Sequence, residues 1–191
     1  MEEDRLEEKF VNKAIIIGDS FSKHLYPIND DIPEILLPVG NIPIIEYLLY
    51  FLTSNNINEN YLIITKHCSE VEQYINKYHR NKLTIVRAEN AKSVADCLRE
   101  IHRKNYINTE FVLISSPLIA NFNVEKIYAQ HLLKKKEDKS CAMTMILKKR
   151  TNTLNKITKY DNAVVVLDKN SNQIIQYEDF NESSDIILNS K

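Results

Sequence analysis

The side chains with the clearest chemical potential follow a short apolar run at Ala14–Ile17. A loop in this position binds phosphate groups when glycines let backbone N–H groups approach the oxygens closely. The whole chain has only two glycines, Gly18 and Gly40. The loop after Gly18 instead carries acidic, hydroxyl, aromatic and basic side chains, namely Asp19, Ser20, Phe21, Ser22, Lys23 and His24. A strand and turn of the kind that binds nucleotides, but without the glycines, favours a partner-binding scaffold over an enzyme.

The composition indicates a globular domain without a general attraction for polyanions. The chain has 191 residues, of which 43% are hydrophobic and 27% charged, and its formal net charge is -1. This nearly neutral charge excludes a field that would attract nucleic acid or a membrane surface. The longest apolar stretch, Ile42–Leu52, is interrupted by Pro43 and Glu46 and is too short to span a bilayer. We expect a solvated lead-in over residues 1–12 and one domain over residues 13–191.

The cysteines and histidines do not form a metal-binding pattern. Cys68, Cys97 and Cys141 are odd in number and far apart, which argues against a disulfide framework or a zinc cluster. Apart from the adjacent pair His67–Cys68, the histidines beyond the first loop also lack ligand spacing. We therefore expect no metal and no cofactor, and the cysteine pattern favours a reducing, cytoplasmic location.

Apolar runs and helical periodicities alternate along the chain. The runs predict strands at Ala14–Ile17, Tyr61–Thr65, Leu83–Arg87, Phe111–Ser115, Ala142–Lys148, Ala163–Asp168 and Gln173–Tyr177. The periodicities predict helices at Pro43–Thr53, Ser69–Tyr78, Ser93–Arg103 and residues 123–136. Ser69 with Glu72 has the spacing of a capping box, and Asn123 is a candidate cap. The turn formers of Asp168–Asn172 predict a hairpin between the last two strands.

This alternation predicts a doubly wound, mostly parallel α/β sheet of Rossmann type with helices on both faces. In such a sheet, ligands bind beyond the carboxyl ends of the strands, where the strand order reverses. The candidate loops are the one after the first strand and the one after the fourth strand. The second of these loops contains Ser116 and Pro117.

The segment Ala14–Tyr47 resembles the signature of the sugar-phosphate nucleotidyltransferase family. The framework positions of that signature are kept as Leu25, Pro27, Pro33, Leu36, Leu37, Pro38, Val39, Asn41 and Pro43. The functional positions differ, because Asp19 and Ser20 stand where the family has paired glycines. His24 stands at the family's arginine and Glu34 at the lysine that faces phosphates. Ser116 and Pro117 stand at the Gly-Asp pair whose aspartate holds the metal.

The resemblance thus implies a family member that has lost its chemistry. A carboxylate about 4 Å from a phosphate oxygen is repelled by roughly 4 kcal/mol at an effective dielectric constant of about 20. Asp19 and Glu34 would each oppose a triphosphate in this way, and Pro117 offers no oxygen to hold magnesium. Nucleotidyl transfer depends on positioning and on charge stabilisation, so the combined losses predict that it is abolished.

Within that family, the details resemble most the epsilon subunits of eukaryotic translation initiation factor 2B. The resemblance is carried by Asp19–Phe21, Asp31–Pro33, Met143–Leu147 and Asp161–Asp168. It implies a scaffold domain that assembles with gamma-type and other subunits and acts on the GTPase initiation factor 2, without nucleic acid or membrane as direct partners. It also implies that guanine-nucleotide exchange belongs to a C-terminal helical domain that this chain does not contain. We therefore expect the domain to be incomplete at its C-terminus.

Two other functions stay open at this point. An active sugar-phosphate nucleotidyltransferase that makes nucleotide-sugars would need Lys23 or His24 to neutralise charge and a carboxylate such as Asp96 to hold the metal. A nucleotide sensor would bind without releasing pyrophosphate.

Two sets of surface candidates are also open. The basic runs Lys134–Lys136 and Lys148–Arg150 fit solvated element ends or an RNA patch. Tyr47, Tyr50 and Tyr74 are candidate interface anchors if they are exposed.

Overall fold

The computed structural model describes residues 10–21, 25–80, 82–148 and 163–179. The chain forms two compact units, which divide between Thr144 and Met145. The first unit contains β1 (Lys13–Ile17), α1 (Ile28–Asp31), a 3-10 turn (Glu34–Leu36), β2 (Pro38–Val39), β3 (Ile42–Pro43), α2 (Ile44–Ser54), β4 (Glu59–Ile64), α3 (Cys68–Tyr78), β5 (Thr84–Arg87), α4 (Val94–Arg103), β6 (Val112–Ile114) and α5 (Val124–Glu137). The second contains β7 (Ala163–Leu167) and β8 (Ile174–Asp179).

A four-stranded parallel sheet in the order β5-β4-β1-β6 forms the centre of the first unit. Ala14–Ile17 in β1 is buried on both faces, which explains why this strand is a continuous apolar run rather than an alternating one. From β1 the chain builds outward through β4 and β5, and it then returns to the other side of β1 as β6. The strand order therefore reverses between β1 and β6, next to the loops that the sequence predicts as candidates.

Helices cover both faces of this sheet. Alternate residues of β1 point to opposite sides, and each side has its own core. Ile16 packs in the core that receives α2, α3 and α5, whereas Ile15 packs in the core that receives Cys97 and Ile101 of α4. Fully burying one such isoleucine contributes about 1.5–3 kcal/mol. The predicted parallel α/β sheet with helices on both faces is confirmed.

Two helix starts follow from local capping. The Ser93 hydroxyl accepts a hydrogen bond from the Asp96 N–H at 3.2 Å, and the Asp96 carboxylate accepts one from the Lys92 N–H at 3.1 Å. At the start of α5, the Asn123 side chain accepts a hydrogen bond from the Lys126 N–H at 2.9 Å. These bonds satisfy N–H groups that have no partner inside the helix. Both predicted starts are confirmed.

The predicted capping box at Ser69 is wrong. The helix α3 begins at Cys68, and its cap is His67, which has a left-handed φ of 51° and makes no side-chain capping bond. The reason is that Glu72 is engaged elsewhere, because its carboxylate receives two hydrogen bonds of 2.6 Å from the Arg87 guanidinium. A contact across 15 residues of sequence thus overrides the local pattern.

The predicted strand at Ala142–Lys148 is also wrong, because these residues form no regular element. Apolar composition makes a strand only when a neighbouring strand supplies hydrogen bonds and buries one face. Met143 is 65% exposed and Ile146 is 50% exposed, so neither side chain gains that burial.

The hairpin of the second unit is confirmed. The strands β7 and β8 pair antiparallel. The Asp168 carboxylate accepts hydrogen bonds from the N–H groups of Asn170 and Ser171 at 3.0 and 2.7 Å, which fixes the turn. Periodicity did not reveal the short hairpin β2–β3, whose turn residues Gly40 and Asn41 have positive φ angles of 58° and 66°.

Candidate functional site

The candidate site lies at the carboxyl edge of the sheet, beyond the ends of β1, β4 and β6. The Gly18 N–H donates to the Ile63 carbonyl oxygen at 2.8 Å and so continues the pairing of β1 with β4. A Cβ atom at Gly18 would lie 3.1 Å from that same oxygen. Gly18 therefore permits a close approach of two strands.

Asp19 is held by the end of β4. Its Oδ2 atom accepts hydrogen bonds from the Thr65 N–H at 2.9 Å and from the Thr65 hydroxyl at 2.5 Å. Thr65 is 8% exposed, so both donors need a partner inside the protein. Asp19 thus joins the ends of two neighbouring strands.

Glu34 reaches the loop from the 3-10 turn. Its Oε2 atom accepts a hydrogen bond from the Ser20 N–H at 2.9 Å, and the residue is 8% exposed. The Ser20 N–H is a backbone donor of the kind that binds anions at the carboxyl edge of such a sheet. A side-chain carboxylate of the protein itself therefore takes this donor.

The remaining loop positions have mixed outcomes. Phe21 has a left-handed φ of 57°, a conformation that glycine adopts without cost and other residues at about 1–2 kcal/mol. Three other predicted loop positions, Ser22, Lys23 and His24, lie outside the described residues. At Phe21 the backbone therefore has a shape that suits glycine, although the residue carries an aromatic side chain.

The two predicted positions in the loop after β6, Ser116 and Pro117, bring no carboxylate to the carboxyl edge of the sheet. Ile16 pairs with Ile114, and this register continued by two residues aligns Gly18 with Ser116. Ser116 and Pro117 are half-buried. Among the described residues, no group of three or more His, Cys, Asp or Glu side chains could hold a metal ion.

Asp96, the example given above of a carboxylate that could hold the metal of an active enzyme, is engaged in capping α4. Hydrogen bonds from Lys92 and Ser93 lower the pKa of Asp96, which therefore stays ionised in its role as a cap. Burial, together with the negative charges of Asp19 and Asp96, raises the pKa of the Cys97 thiol to about 11. A protonated thiol is neither a nucleophile nor a metal ligand at neutral pH.

A depression of about 320 Å³ lies beside α4 and the end of β5. Its three arginines are each paired with a carboxylate: Arg87 with Glu72 at 2.6 Å, Arg99 with Asp96 at 2.5 Å and Arg103 with Glu100 at 2.6 Å. This neutralised surface does not have the unpaired cations that a phosphate site uses.

Sequence reasoning missed a second polar cluster, which joins α2 to α3. The Glu46 Oε1 atom accepts hydrogen bonds from the Tyr74 hydroxyl at 2.7 Å and from the His79 Nε2–H at 2.5 Å. Burial and the Glu46 carboxylate raise the pKa of Tyr74 to about 12. Burial alone would raise the pKa of Glu46, but the bonds from Tyr74 and His79 bring it below its usual value. The available signal was a lone acid in the otherwise apolar helix 44–52.

The surface candidates separate in the structure. The Tyr47 hydroxyl donates to the Val39 carbonyl oxygen at 2.8 Å, whereas Tyr50 is 78% exposed and remains a candidate interface anchor. In the first basic run, Lys134 lies 3.3 Å from Glu137 and Lys135 lies 2.8 Å from Glu110. Paired lysines at a helix end favour the solvated interpretation of that run. None of the helices in the described ranges is both long and apolar enough to cross a bilayer.

Comparisons with known proteins agree with this geometry. A family model described as nucleotidyl transferase matches residues 13–182. Translation initiation factor eIF2B subunit epsilon of Dictyostelium discoideum is 28% identical over 92% of this chain, and that of Schizosaccharomyces pombe is 28% identical over 89%. The chain spans 26% of the length of each of these relatives.

A solved structure shares the fold. A Bacillus anthracis protein described as a glucose-1-phosphate thymidylyltransferase superposes with a TM-score of 0.53 at 23% identity, over 65% of this chain and 51% of its own. The predicted resemblance to nucleotidyltransferases, and to epsilon subunits in particular, is confirmed at the level of sequence similarity.

Proposed function

Because the chain belongs to the nucleotidyl transferase family, we propose that it is a member that no longer transfers nucleotides. It serves as the nucleotidyltransferase-like scaffold domain of an epsilon-type subunit of the exchange factor for the GTPase initiation factor 2. In this function it acts in the cytoplasm, in translation initiation, through assembly with gamma-type and other subunits.

One observation carries the loss of transfer: two carboxylates occupy the carboxyl edge where this architecture binds its ligand. Asp19 accepts the donors of Thr65, and Glu34 accepts the N–H of Ser20. An incoming triphosphate would meet negative charge at both places and would have to displace Glu34 from the donor. Repulsion of roughly 4 kcal/mol for each carboxylate at about 4 Å outweighs a typical phosphate hydrogen bond of about 1.5–3 kcal/mol.

The assembly role rests on similarity. Two epsilon subunits match this chain over about nine-tenths of its length, and in them the matched part is a quarter of a larger protein. A domain without its family's chemistry, placed within a larger subunit, contributes by positioning its neighbours. In this proposal, exchange on the GTPase is an activity of the epsilon-type subunit as a whole.

Calorimetric titration tests the loss of transfer. The 191-residue chain is titrated with GTP and with ATP, each with magnesium, and pyrophosphate release is followed after addition of sugar phosphates. We expect neither tight binding nor turnover, with an active glucose-1-phosphate nucleotidyltransferase as the positive control. Magnesium-dependent binding with pyrophosphate release contradicts the proposal in favour of an active transferase, and binding without release identifies a nucleotide sensor.

Co-expression tests the assembly role. The full-length protein, tagged, is expressed with a gamma-type subunit, and the complex is measured by size-exclusion chromatography with light scattering. We expect a stable complex. Recovery of the full-length protein without the gamma-type subunit, at a concentration well above the dissociation constant of a permanent complex, contradicts the assembly role. This outcome does not bear on catalysis.

A further inference from the structure

The contact between Glu34 and Ser20 explains more than a lost activity. Glu34 Oε2 lies 2.9 Å from the Ser20 nitrogen, and Glu34 is 8% exposed. Ser20 lies two residues after Gly18, in the loop at the carboxyl edge of β1. We propose that Glu34 is an internal anion, whose carboxylate occupies the amide donor that a phosphate oxygen would use and thereby excludes polyanions from the crevice.

The Glu34 carboxylate and a phosphate group are the same kind of hydrogen-bond acceptor. A carboxylate and a phosphate each present negatively charged oxygens, and both form short, charge-assisted bonds with backbone N–H groups. The two differ in how they reach the donor. Because Glu34 belongs to the same chain, its effective concentration at the loop far exceeds that of a free ligand. A free polyanion must therefore displace a competitor that never diffuses away.

The position of Glu34 is fixed by the core. Its neighbour Ile35 is 1% exposed and packs in the core that contains Ile16. The turn is also closed on both sides, since the Leu36 N–H donates to the Pro33 carbonyl at 2.8 Å and the Ile44 N–H donates to the Leu37 carbonyl at 3.1 Å. The carboxylate therefore points at the loop as part of the folded structure and needs no ordering step.

Burial makes this contact hard to break. An ionised carboxylate that is nine-tenths buried must be hydrogen-bonded, because the alternative is a desolvated charge without compensation. Displacing Glu34 from Ser20 would create that unfavourable state unless the side chain moved to solvent. Two costs thus oppose an incoming phosphate: the phosphate is repelled by the Glu34 carboxylate, and Glu34 loses its hydrogen bond from the Ser20 N–H.

Asp19 has a different role at the same edge. Its carboxylate accepts hydrogen bonds from Thr65, at the end of β4, and so joins two strand ends.

The internal anion rests on the proposed function in one respect only, namely that the wild-type crevice binds no triphosphate. It does not depend on the assignment to an exchange-factor subunit.

The test is an anion titration of matched variants of the 191-residue chain. Inorganic tripolyphosphate without magnesium is titrated calorimetrically at low ionic strength into wild type, Glu34→Ala, Glu34→Gln and Glu59→Ala. The control Glu59→Ala removes the same formal charge at the amino end of β4, where Glu59 is 3.3 Å from Lys13. Cooperative thermal unfolding of each variant establishes that it is folded.

We expect Glu34→Ala to bind tripolyphosphate at least about tenfold more tightly than wild type, because one repulsive charge and one competitor are removed together. Glu34→Gln should lie between the two, since its side-chain oxygen still accepts from Ser20 without the charge. Glu59→Ala should match wild type. A folded Glu34→Ala that binds no better than Glu59→Ala overturns the internal anion. The loss of transfer, which the titration of the wild-type chain with nucleotides tests separately, then depends on Asp19 alone of the two carboxylates.

Amide hydrogen exchange on the wild-type chain decides the matter if Glu34→Ala does not fold. The Ser20 amide should exchange more slowly than exposed loop amides such as that of Lys139, because it is bonded to a buried acceptor. A Ser20 amide as fast as that reference overturns the proposal. Tight triphosphate binding by wild type contradicts both the internal anion and the proposed function.

Discussion

Two acidic residues of the first unit, Asp19 and Glu46, are held in different ways. At the carboxyl edge of the sheet, Asp19 accepts hydrogen bonds from the backbone and the hydroxyl of Thr65. Between α2 and α3, Glu46 accepts hydrogen bonds from two ionisable side chains, those of Tyr74 and His79. The first contact joins strand ends through donors that do not titrate in the ordinary pH range. The second joins helices through side-chain donors, and burial together with the Glu46 carboxylate raises the pKa of one of them, Tyr74, to about 12.

Because of this difference, the Asp19 contact determines loop geometry, whereas the Glu46 contact also makes stability depend on pH. A donor in the backbone is placed by the sheet, so the Asp19 contact fixes the geometry of the loop that follows β1. Donors on side chains can gain or lose protons, so the Glu46 contact couples the packing of α2 on α3 to pH. We therefore expect the stability contributed by Asp19, at the carboxyl edge of the sheet, to change mainly on substitution. The stability contributed by the Glu46 cluster should also change with pH.

The largest expected effect is that of Asp19→Ala. This change leaves the N–H and the hydroxyl of Thr65, which is 8% exposed, without their acceptor. Hydrogen bonds to a charged group contribute about 1.5–3 kcal/mol, and an abandoned buried donor costs about 1–3 kcal/mol. We expect the free energy of unfolding to fall by about 3 kcal/mol, measured by urea unfolding.

Asp19→Asn is the matched control, because it keeps one acceptor oxygen for Thr65 while removing the charge. Its loss should be about half that of Asp19→Ala. Equal losses would show that the charge matters and the acceptor does not, which contradicts the role of Asp19 in joining the strands.

A smaller loss is expected for Glu46→Ala, about 2 kcal/mol in the same unfolding measurement. Tyr74 and His79 both lose their acceptor, but the Glu46 side chain is 30% exposed, so water compensates in part. Glu59→Ala should cost less than about 1 kcal/mol, because the Glu59 side chain is 48% exposed and Lys13 keeps its hydrogen bond to Asn108. A Glu46→Ala loss as small as that control would show that the cluster does not stabilise the contact of α2 with α3.

The sequence predicted the parts of the fold that depend on local chemistry. Ala14–Ile17 reads as a central strand because burial on both faces demands a continuous apolar run. Asn123 was recognisable as a cap, and helical periodicity predicted the helix that starts at Ser93. In the structure each of these side chains accepts a hydrogen bond from an N–H three residues along the chain. Such contacts need only the spacing of nearby residues.

The parts that sequence reasoning missed depend on contacts between distant residues. Ser69 resembled a cap, but Glu72 is bound by Arg87. The run at Ala142–Lys148 pairs with no strand in the part of the chain that the structure describes. Asp19 was identified as an acid at the loop, but its acceptor role for Thr65 spans 46 residues. Spacing along the chain carries no information on such pairs, so the acids could be located from the sequence but their partners could not.

Alkaline titration of Tyr74→Phe gives the next largest effect. Since the pKa of Tyr74 is raised to about 12, the folded chain holds this proton over the range from pH 10 to 12 in which the unfolded chain releases it. The corresponding stabilisation is complete below pH 10 and is lost as pH rises through that range. We expect the melting temperature of wild type to fall more steeply over this range than that of Tyr74→Phe. Tyrosinate absorption should show one late-titrating tyrosine fewer in the variant, and identical slopes for both chains would contradict the coupling.

The smallest effect is expected on the acid side, for Glu46→Gln. Because the bonds from Tyr74 and His79 bring the pKa of Glu46 below its usual value of 4.5, the carboxylate stabilises the fold above that pH. The stabilisation is lost as pH falls through the lowered pKa, since the folded carboxylate must then take up a proton. Glutamine accepts no proton there, so the difference in melting temperature between wild type and Glu46→Gln should shrink as the pH drops from 7 to below 4.5. A melting-temperature difference that stays constant over this range would mean that the charge of Glu46 does not stabilise the fold. Asp19 and Glu46 would then differ only in the stability lost on substitution, and not in their response to acid.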